Sequence, residues 1–158
     1  IMIYESIAKT GNPVTDLIIS NKALICEKND IVFTYHIDGK AISFMHKTDI
    51  SALFGNIIDN AIEYLSKVEP KENRVLNMNV FLNKRTVGMH IENFCDRKIE
   101  FKDGLPLSTK NDAFYHGFGT KSMKYIVNKY HGNMIIANKD NLYTIDIMMP
   151  LQEKSNKI

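Results

Sequence analysis

The stretch "ISALFGNIIDNAIEYLSKV", residues 50–68, predicts the longest helix of the chain. At about 100° per residue, its apolar side chains fall on one arc, while Asn56, Asn60 and Glu63 lie within about 60° of one another on the opposite arc. This helix therefore offers a broad apolar face to a core and a narrow stripe of two amides and one carboxylate.

The segments on both sides of this helix predict further helices and strands. Thr48 or Asp49 is expected to cap the long helix, and Pro70 to stop it. The predicted elements, in order, are helix 14–28, strand 31–37, a weaker strand 41–45, helix 49–68, strands 74–82 and 86–93, helix 120–130, and strands 133–138 and 142–149. This order predicts an α/β (α+β) two-layer sandwich, with helices on one face of a mixed, mostly antiparallel sheet. The polar residues 94–115 are expected to form a lid that is not ordered without ligand.

The composition predicts a single domain and excludes several classes of function. A chain of 158 residues can build one core but is short for two domains. A net charge of +2 does not indicate a nucleic-acid partner. Cys26 and Cys95 form no CxxC pair, so neither a zinc site nor a disulfide framework is predicted, and a reducing cytoplasm is the expected location. No apolar run approaches the roughly 18 residues that a membrane span needs.

The polar stripe on the long helix suggests a cation site. Asn56 and Asn60 stand at i and i+4, are poor helix formers and are flanked by apolar residues. Amide oxygens are hard, neutral ligands that can join a Mg²⁺ shell completed by water and substrate phosphate. Alternatively, the two asparagines lie on a solvated helix face, and the pattern of residues alone leaves both interpretations open.

A second motif, "YHGFGTKSMKYIVNKYHGNM" at residues 115–134, predicts an anion site at the start of a helix. Gly117 and Gly119 would let the backbone approach an anion, and the N–H groups of Gly119, Thr120 and Lys121 would point at it. The motif is not a Walker A loop, because Lys does not directly follow Gly, and the third glycine of a dinucleotide fingerprint is missing. On its own, it could also be an ordinary glycine-rich helix start.

The two motifs, separated by a hairpin and a long polar connection, together resemble the GHKL superfamily of ATP-binding domains. That superfamily includes sensor histidine kinases, gyrase-type topoisomerases, chaperones of the heat-shock-90 class and mismatch-repair proteins. More narrowly, "TGNPVTDLIISNK", "DISALFGNIIDNAIE" and "LPLSTKNDAFYHGFGTKS" are similar to signatures of peptide-sensing quorum histidine kinases of the accessory-gene-regulator type in Gram-positive bacteria. The resemblance covers residues 10–150 and implies the Bergerat fold.

The resemblance implies roles for individual residues. Asn60 would ligate Mg²⁺, and Asn56, where ATP-hydrolysing relatives carry a water-activating glutamate, would support it, so both are the expected catalytic and metal-binding residues. Glu63 stands where many sensor kinases have a phosphate-binding lysine, and Asn93 where a missing Asp-x-Gly-x-Gly segment would read adenine. The residues expected to bind the nucleotide are Asn56, Asn60, Asn93, Lys110, His116, Gly117, Phe118, Gly119, Thr120 and Lys121.

The resemblance also implies an activity and partners. The chain would bind ATP with Mg²⁺ and transfer the γ-phosphoryl group to a histidine on a separate dimerisation domain of the same parent protein, with a response regulator as an indirect partner and no nucleic acid. The parent would be a membrane-anchored, dimeric sensor, with this domain in the cytoplasm. Residues 1–12 would be a linker from the helical dimerisation domain, residues 13–150 the catalytic domain and residues 151–158 a polar tail.

Two other functions are compatible with the same motifs. An anti-sigma-type serine kinase shares the fold and would phosphorylate a serine on a partner. A degenerate domain that binds nucleotide poorly and acts as an interaction module is suggested by the missing glycines and by Glu63. His36, His46, His90 and His131 show no metal-ligand spacing, and none stands in a His-Glu or His-Asp pair on a helix, so we expect that this chain does not phosphorylate itself.

Overall fold

The computed structural model describes residues 7–107 and 113–153, and for residues 113–118 the backbone alone. The α-helices in this part of the chain are α1 (Pro13–Lys28), α2 (Lys47–Leu65) and α3 (Ala113–Lys129). The strands are β1 (Val32–Ile37), β2 (Val75–Asn83), β3 (Thr86–Phe94), β4 (Phe101–Lys102), β5 (Leu105–Pro106), β6 (Asn133–Lys139) and β7 (Leu142–Pro150). Within the described residues, no helix has both the length and the apolar character that a membrane span requires.

Five of the strands form one sheet in the order β1-β2-β3-β7-β6, while β4 and β5 form a separate hairpin. β1 runs parallel to β2, and the other neighbours in the five-stranded sheet are antiparallel. The parallel pair is possible because α2 lies between β1 and β2 and returns the chain to the same end of the sheet. Tight turns join β2 to β3 and β6 to β7, with positive φ at Lys84 in the first turn and at Asp140 and Asn141 in the second. The predicted mixed, mostly antiparallel sheet is confirmed.

The helices pack on one face of the sheet because successive strand residues point to opposite sides. Along β3, Val87, Met89 and Ile91 are buried, whereas His90 and Glu92 lie on the other face, which we call the open face. The apolar arc of α2 fills the core with Ile50, Leu53, Phe54, Ile57, Ile58, Ala61 and Leu65. The structure is therefore the predicted two-layer sandwich, with helices on one side of the sheet.

The start of α2 lies two or three residues before the predicted one. The N-cap is His46 rather than Thr48 or Asp49, and its Nδ1 accepts a hydrogen bond from the Thr48 N–H at 3.3 Å. Asp49 instead accepts hydrogen bonds from Lys129 Nζ at 2.8 Å and from the Tyr130 hydroxyl. Burial alone would raise the pKa of Asp49, but these hydrogen bonds outweigh it and lower that pKa. Asp49 therefore links the start of α2 to the end of α3.

The predicted weak strand at residues 41–45 is wrong. The chain forms a 3-10 helix, Gly39–Ile42, whose N-cap Asp38 accepts a hydrogen bond from the Ala41 N–H. Ala41 and Ile42 are both buried, whereas neighbouring residues of a strand would face opposite sides of a sheet. This apolar run is therefore a single turn that packs into the core.

The connection between β3 and α3 carries more regular structure than the predicted lid. Helix α3 begins at Ala113, not at residue 120. Residues 101–106 form the β4-β5 hairpin, and a backbone hydrogen bond of 2.7 Å from Leu107 N to Glu100 O closes its base. We call residues 95–107 the arm.

On the open face, the ring of Phe81 covers Gly88. The two residues are directly opposite each other in the β2-β3 pair. A Cβ atom added at Gly88 would lie 2.3 Å from Cζ of the Phe81 ring, closer than real Cβ contacts come. The ring therefore occupies the volume that any side chain at position 88 would need.

Candidate functional site

A cavity of about 390 Å³ lies between α2, α3, the helix-covered face of β3 and β7, and the arm. Its floor is formed by buried aliphatic side chains, Ile57 and Ala61 from α2, Ile91 from β3 and Ile145 from β7. Tyr143 of β7 adds an aromatic ring, and burial raises the pKa of its hydroxyl, which stays neutral. An apolar slot of this kind suits a flat heteroaromatic group.

The two sequence motifs meet at one end of this cavity. Asn60 of α2 is half-buried and lines the cavity, and Gly119 of α3 lies directly against its amide. A Cβ atom at Gly119 would lie 3.3 Å from Asn60 Nδ2 and 3.5 Å from Oδ1. The missing side chain at position 119 therefore leaves room for the Asn60 amide between the helices. Thr120, the next residue of α3, is buried and also lines the cavity.

Asn93 lines the cavity at the end of β3 and is buried. Its Nδ2 donates a hydrogen bond of 2.9 Å to the carbonyl oxygen of Phe94. This bond holds the amide in one orientation and leaves Oδ1 as the atom that can accept a hydrogen bond from a ligand. The predicted position of Asn93 beside a ligand is therefore compatible with the geometry, with an acceptor presented to an amino group.

The predicted glycine-rich loop at the start of a helix is wrong. Gly117 and Gly119 lie inside α3, so the N–H groups of Gly119, Thr120 and Lys121 are not at a helix start. A glycine inside a helix costs only about 1 kcal/mol relative to alanine, and at position 119 it permits the close approach to Asn60. Lys121 is exposed and does not line the cavity. The side chains of residues 116–118 and the whole of Lys110 lie outside the described residues.

Comparison with known proteins places this architecture in a family. Residues 45–150 match the sequence model of the GHKL domain. The chain belongs to the GHKL domain family. Comparison with curated proteins gives no match for this sequence.

Several solved structures share the fold of this GHKL domain. The catalytic domain of histidine kinase ThkA gives a TM-score of 0.65 at 14% identity, over 91% of this chain and 96% of that chain. The Acinetobacter baumannii histidine kinase AdeS gives 0.59 at 13% identity, over 96% and 73%. The blue-light-activated histidine kinase EL346 of Erythrobacter litoralis gives 0.57 at 11% identity, over 97% and 71%. At such low identity, these structures show that the fold is that of histidine kinase catalytic domains.

In this GHKL domain, the predicted pair Asn56 and Asn60 is divided between two concave surfaces. Asn56 lines a groove between α1 and α2, beside an ion pair of 2.6 Å between Lys22 Nζ and Asp59 Oδ1. Asn60 lines the cavity between α2 and α3. Side chains at positions i and i+4 differ in direction by about 40°. Because α2 packs against α1 on one side and α3 on the other, this difference is enough to place Asn56 and Asn60 on different surfaces.

The residues at the Asn60 end of the cavity fit a magnesium ion that is held mainly by phosphate. Asn60 supplies a neutral amide oxygen, and Glu63 lines the same cavity one turn later. No group of three or more His, Cys, Asp or Glu side chains within the described residues could hold a metal by itself. Such a sparse donor set agrees with Mg²⁺, which keeps waters and is usually bound through one or two protein ligands plus substrate phosphates.

Tyr64, Cys95 and Asp96 line the cavity, although the sequence analysis did not assign them a role. Tyr64 follows Asn60 by one helical turn, so the i+4 rule could have found it. The Tyr64 hydroxyl donates a hydrogen bond of 2.9 Å to Asp96 Oδ1. Burial raises the pKa of this hydroxyl, and the hydrogen bond to Asp96 and the nearby Cys95 raise it further.

Proposed function

We propose that this GHKL domain binds Mg-ATP and transfers the γ-phosphoryl group to a histidine on a separate dimerisation domain, as part of a sensor histidine kinase of the accessory-gene-regulator type. The supporting observation is the convergence of Asn60, Thr120 and Asn93 on one cavity with an apolar floor. The GHKL family assignment and the likeness to histidine kinase catalytic domains support the same function.

In this proposal, different residues of the cavity contact different parts of the nucleotide. The adenine lies on the floor formed by Ile91 and Ile145, and its amino group donates a hydrogen bond to Asn93 Oδ1. The triphosphate extends to the end where Asn60 and Thr120 lie. Asn60 would hold a Mg²⁺ ion there, and the bound ion would supply positive charge to the phosphate oxygens.

In this proposal, the protein contributes to phosphoryl transfer by positioning the nucleotide and excluding water. The acceptor is on another domain. Among the histidines whose side chains are described, His90 is in ion pairs with Asp146 and Glu92 on the open face of the sheet, opposite the cavity.

The proposed cellular setting follows from the same function. The parent protein is a membrane-anchored dimer, residues 1–12 link this domain to the dimerisation domain, and the domain works in the cytoplasm. A response regulator then receives the phosphoryl group from the histidine.

The deciding experiment is a calorimetric titration with a non-hydrolysable ATP analogue, with and without Mg²⁺. We expect Mg²⁺ to strengthen binding, and Asn60→Ala to weaken the Mg²⁺-dependent binding by about 10- to 100-fold. The matched control is Asn128→Ala, which removes an exposed amide from α3, away from the cavity. The absence of binding at millimolar nucleotide would overturn the proposal and favour an interaction module.

The residue that accepts the phosphoryl group distinguishes a histidine kinase from an anti-sigma-type serine kinase. The chain is incubated with labelled ATP, alone and with a dimerisation domain that carries its histidine. Acid-labile phosphate on the added domain supports a histidine kinase, whereas acid-stable phosphate on a partner serine supports the anti-sigma type. Label on the chain alone would contradict the expectation that it does not phosphorylate itself.

A further inference from the structure

The far end of the cavity is bounded by the arm, whose Cys95, Asp96, Arg97 and Ile99 form its rim. On the sheet side, two hydrogen bonds fix this rim to the β6-β7 hairpin. Cys95 N donates to Asn141 O at 2.8 Å, and Ile99 N donates to Asn138 Oδ1 at 3.1 Å. These bonds leave the helix side of the rim to be held by side chains.

On the helix side, the rim is fixed by Tyr64 and Asp96. The Tyr64 hydroxyl, near the end of α2, donates a hydrogen bond of 2.9 Å to Asp96 Oδ1. The arm is therefore attached on both sides of the cavity, to the sheet by backbone and amide hydrogen bonds and to α2 by one phenol-carboxylate pair. The sulfur of Cys95 donates to Arg97 O at 3.5 Å, which supports the turn that carries Asp96.

We propose that Tyr64 and Asp96 are positioning residues that keep the rim of the nucleotide cavity formed before the base binds. This inference rests on the proposed function. The segment after Asn93 lacks the glycines expected there, and in this chain the hydrogen bond to α2 fixes its course. Tyr64 acts through its hydrogen bond to Asp96, and both residues line the cavity.

The position of Tyr64 and Asp96 in the cavity predicts how the loss of their hydrogen bond affects nucleotide affinity. Asn60 and Gly119 lie at the phosphate end, whereas Tyr64 lies one turn further along α2, about 6 Å away, at the base end. Removal of the Tyr64 hydroxyl should therefore weaken binding equally with and without Mg²⁺. Removal of the Asn60 amide should reduce the contribution of Mg²⁺.

The test is calorimetric titration with the ATP analogue and with ADP, with and without Mg²⁺. Tyr64→Phe keeps the ring and removes the donor, and Asp96→Ala removes the acceptor. Each should weaken binding about five- to tenfold, independently of Mg²⁺. The double variant should bind no more weakly than either single variant. Asp96→Asn, which keeps an acceptor oxygen, should restore most of the affinity.

Tyr125→Phe is the matched control, since Tyr125 is 72% exposed on α3 and does not line the cavity. Additive losses in the double variant, or failure of Asp96→Asn to restore binding, would overturn the inference. The inference would also be overturned if the unaltered chain binds the ATP analogue and Tyr64→Phe binds it with the same affinity. If the unaltered chain binds no nucleotide, the proposed function itself fails, and the two failures are thus distinguished.

Discussion

Gly119 of α3 lies against the amide of Asn60 in α2, at a distance that leaves no room for a methyl group unless Asn60 moves. The added Cβ would be 3.3 Å from Nδ2. Gly119→Ala should therefore displace the Asn60 amide by a few tenths of an ångström and weaken Mg²⁺-dependent nucleotide binding several-fold. The same change should not reduce thermal stability much, because alanine is favoured over glycine inside a helix by about 1 kcal/mol. Calorimetric titration and thermal unfolding of the same variant measure the two effects.

Gly55→Ala is the control for this prediction. Gly55 lies inside α2, and a Cβ added there meets no atom within 4 Å. This variant should gain about 0.5–1 kcal/mol of stability and bind nucleotide as the unaltered chain does. If both alanine variants bind equally well, the contact between Gly119 and Asn60 has no role in ligand binding.

The two asparagines of the long helix should contribute unequally to nucleotide binding. Asn60 lines the cavity, whereas Asn56 lines the groove beside α1. Asn56→Ala should therefore weaken binding of the Mg²⁺-bound ATP analogue less than Asn60→Ala does. Dissociation constants for both variants, measured at the same Mg²⁺ concentration, give the comparison, and a larger loss for Asn56→Ala would contradict it.

His90 should make the stability of the fold depend on pH. Its Nδ1 contacts Asp146 Oδ1 and its Nε2 contacts Glu92 Oε2 at 3.3 Å. The hydrogen bond to Asp146 and the one to Glu92 outweigh burial and raise the pKa of His90 above its ordinary value. Because the folded-state pKa is the higher one, the stabilisation is fully present below the unfolded-state value of about 6.5 and is lost as pH rises through the raised value.

Urea unfolding at pH 5.5 and at pH 8.5 tests this dependence. The difference in unfolding free energy between the unaltered chain and His90→Gln should be larger at pH 5.5. It should be no more than about 1 kcal/mol, since the His90 side chain is 36% exposed and water screens both pairs. His36→Gln, on the same open face and without a carboxylate partner within the described residues, is the control against which the pH-dependent difference for His90→Gln is judged.

Arg74 should be among the residues whose loss destabilises the fold most. Its buried guanidinium donates to Val68 O at 2.9 Å and to Asn29 O at 2.8 Å, and contacts Glu69 Oε1 at 3.3 Å. Arg74→Met keeps a long side chain but leaves two carbonyl groups without donors, so we expect a loss of about 2–4 kcal/mol in urea unfolding.

Arg85→Met provides the comparison for this arginine. The Arg85 side chain is 72% exposed, and its nearest carboxylate oxygen, from Glu153, is 4.0 Å away. The change should cost at most a few tenths of a kcal/mol. Equal losses for the two variants would show that the hydrogen bonds of Arg74 contribute nothing beyond its bulk.

Local periodicity was sufficient to predict most of the fold. The spacing of apolar residues in α2, and the alternation in β2, β3, β6 and β7, identified these elements within a few residues. The predicted start of α3 is wrong because two glycines favour a loop when only local propensity is considered. Packing against α2 outweighs the small cost of glycine in a helix, and that packing involves residues far away in the sequence.

Sequence patterns predict only those residues of the candidate site that belong to a recognisable local pattern. The motifs predict Asn60 and Thr120, the family resemblance predicts Asn93 by its position after a strand, and all three line the cavity. The pairs Tyr64 with Asp96 and His90 with Asp146 are 32 and 56 residues apart in the chain, and only the pairing of strands and helices brings them together. Local patterns contain no information about such contacts.

The ring of Phe81 over Gly88 has a consequence for how mutational data on this chain should be interpreted. Every substitution at position 88 would collide with an aromatic ring 2.3 Å from its Cβ, so the chain should tolerate none without moving Phe81. In a saturation library, position 88 would show a constraint that, unlike the one at Gly119, comes from the 43% exposed Phe81 ring and lies on the face of the sheet away from the cavity. A library built on Phe81→Ala would separate the two, since the shorter side chain should make position 88 permissive and leave position 119 as restricted as before.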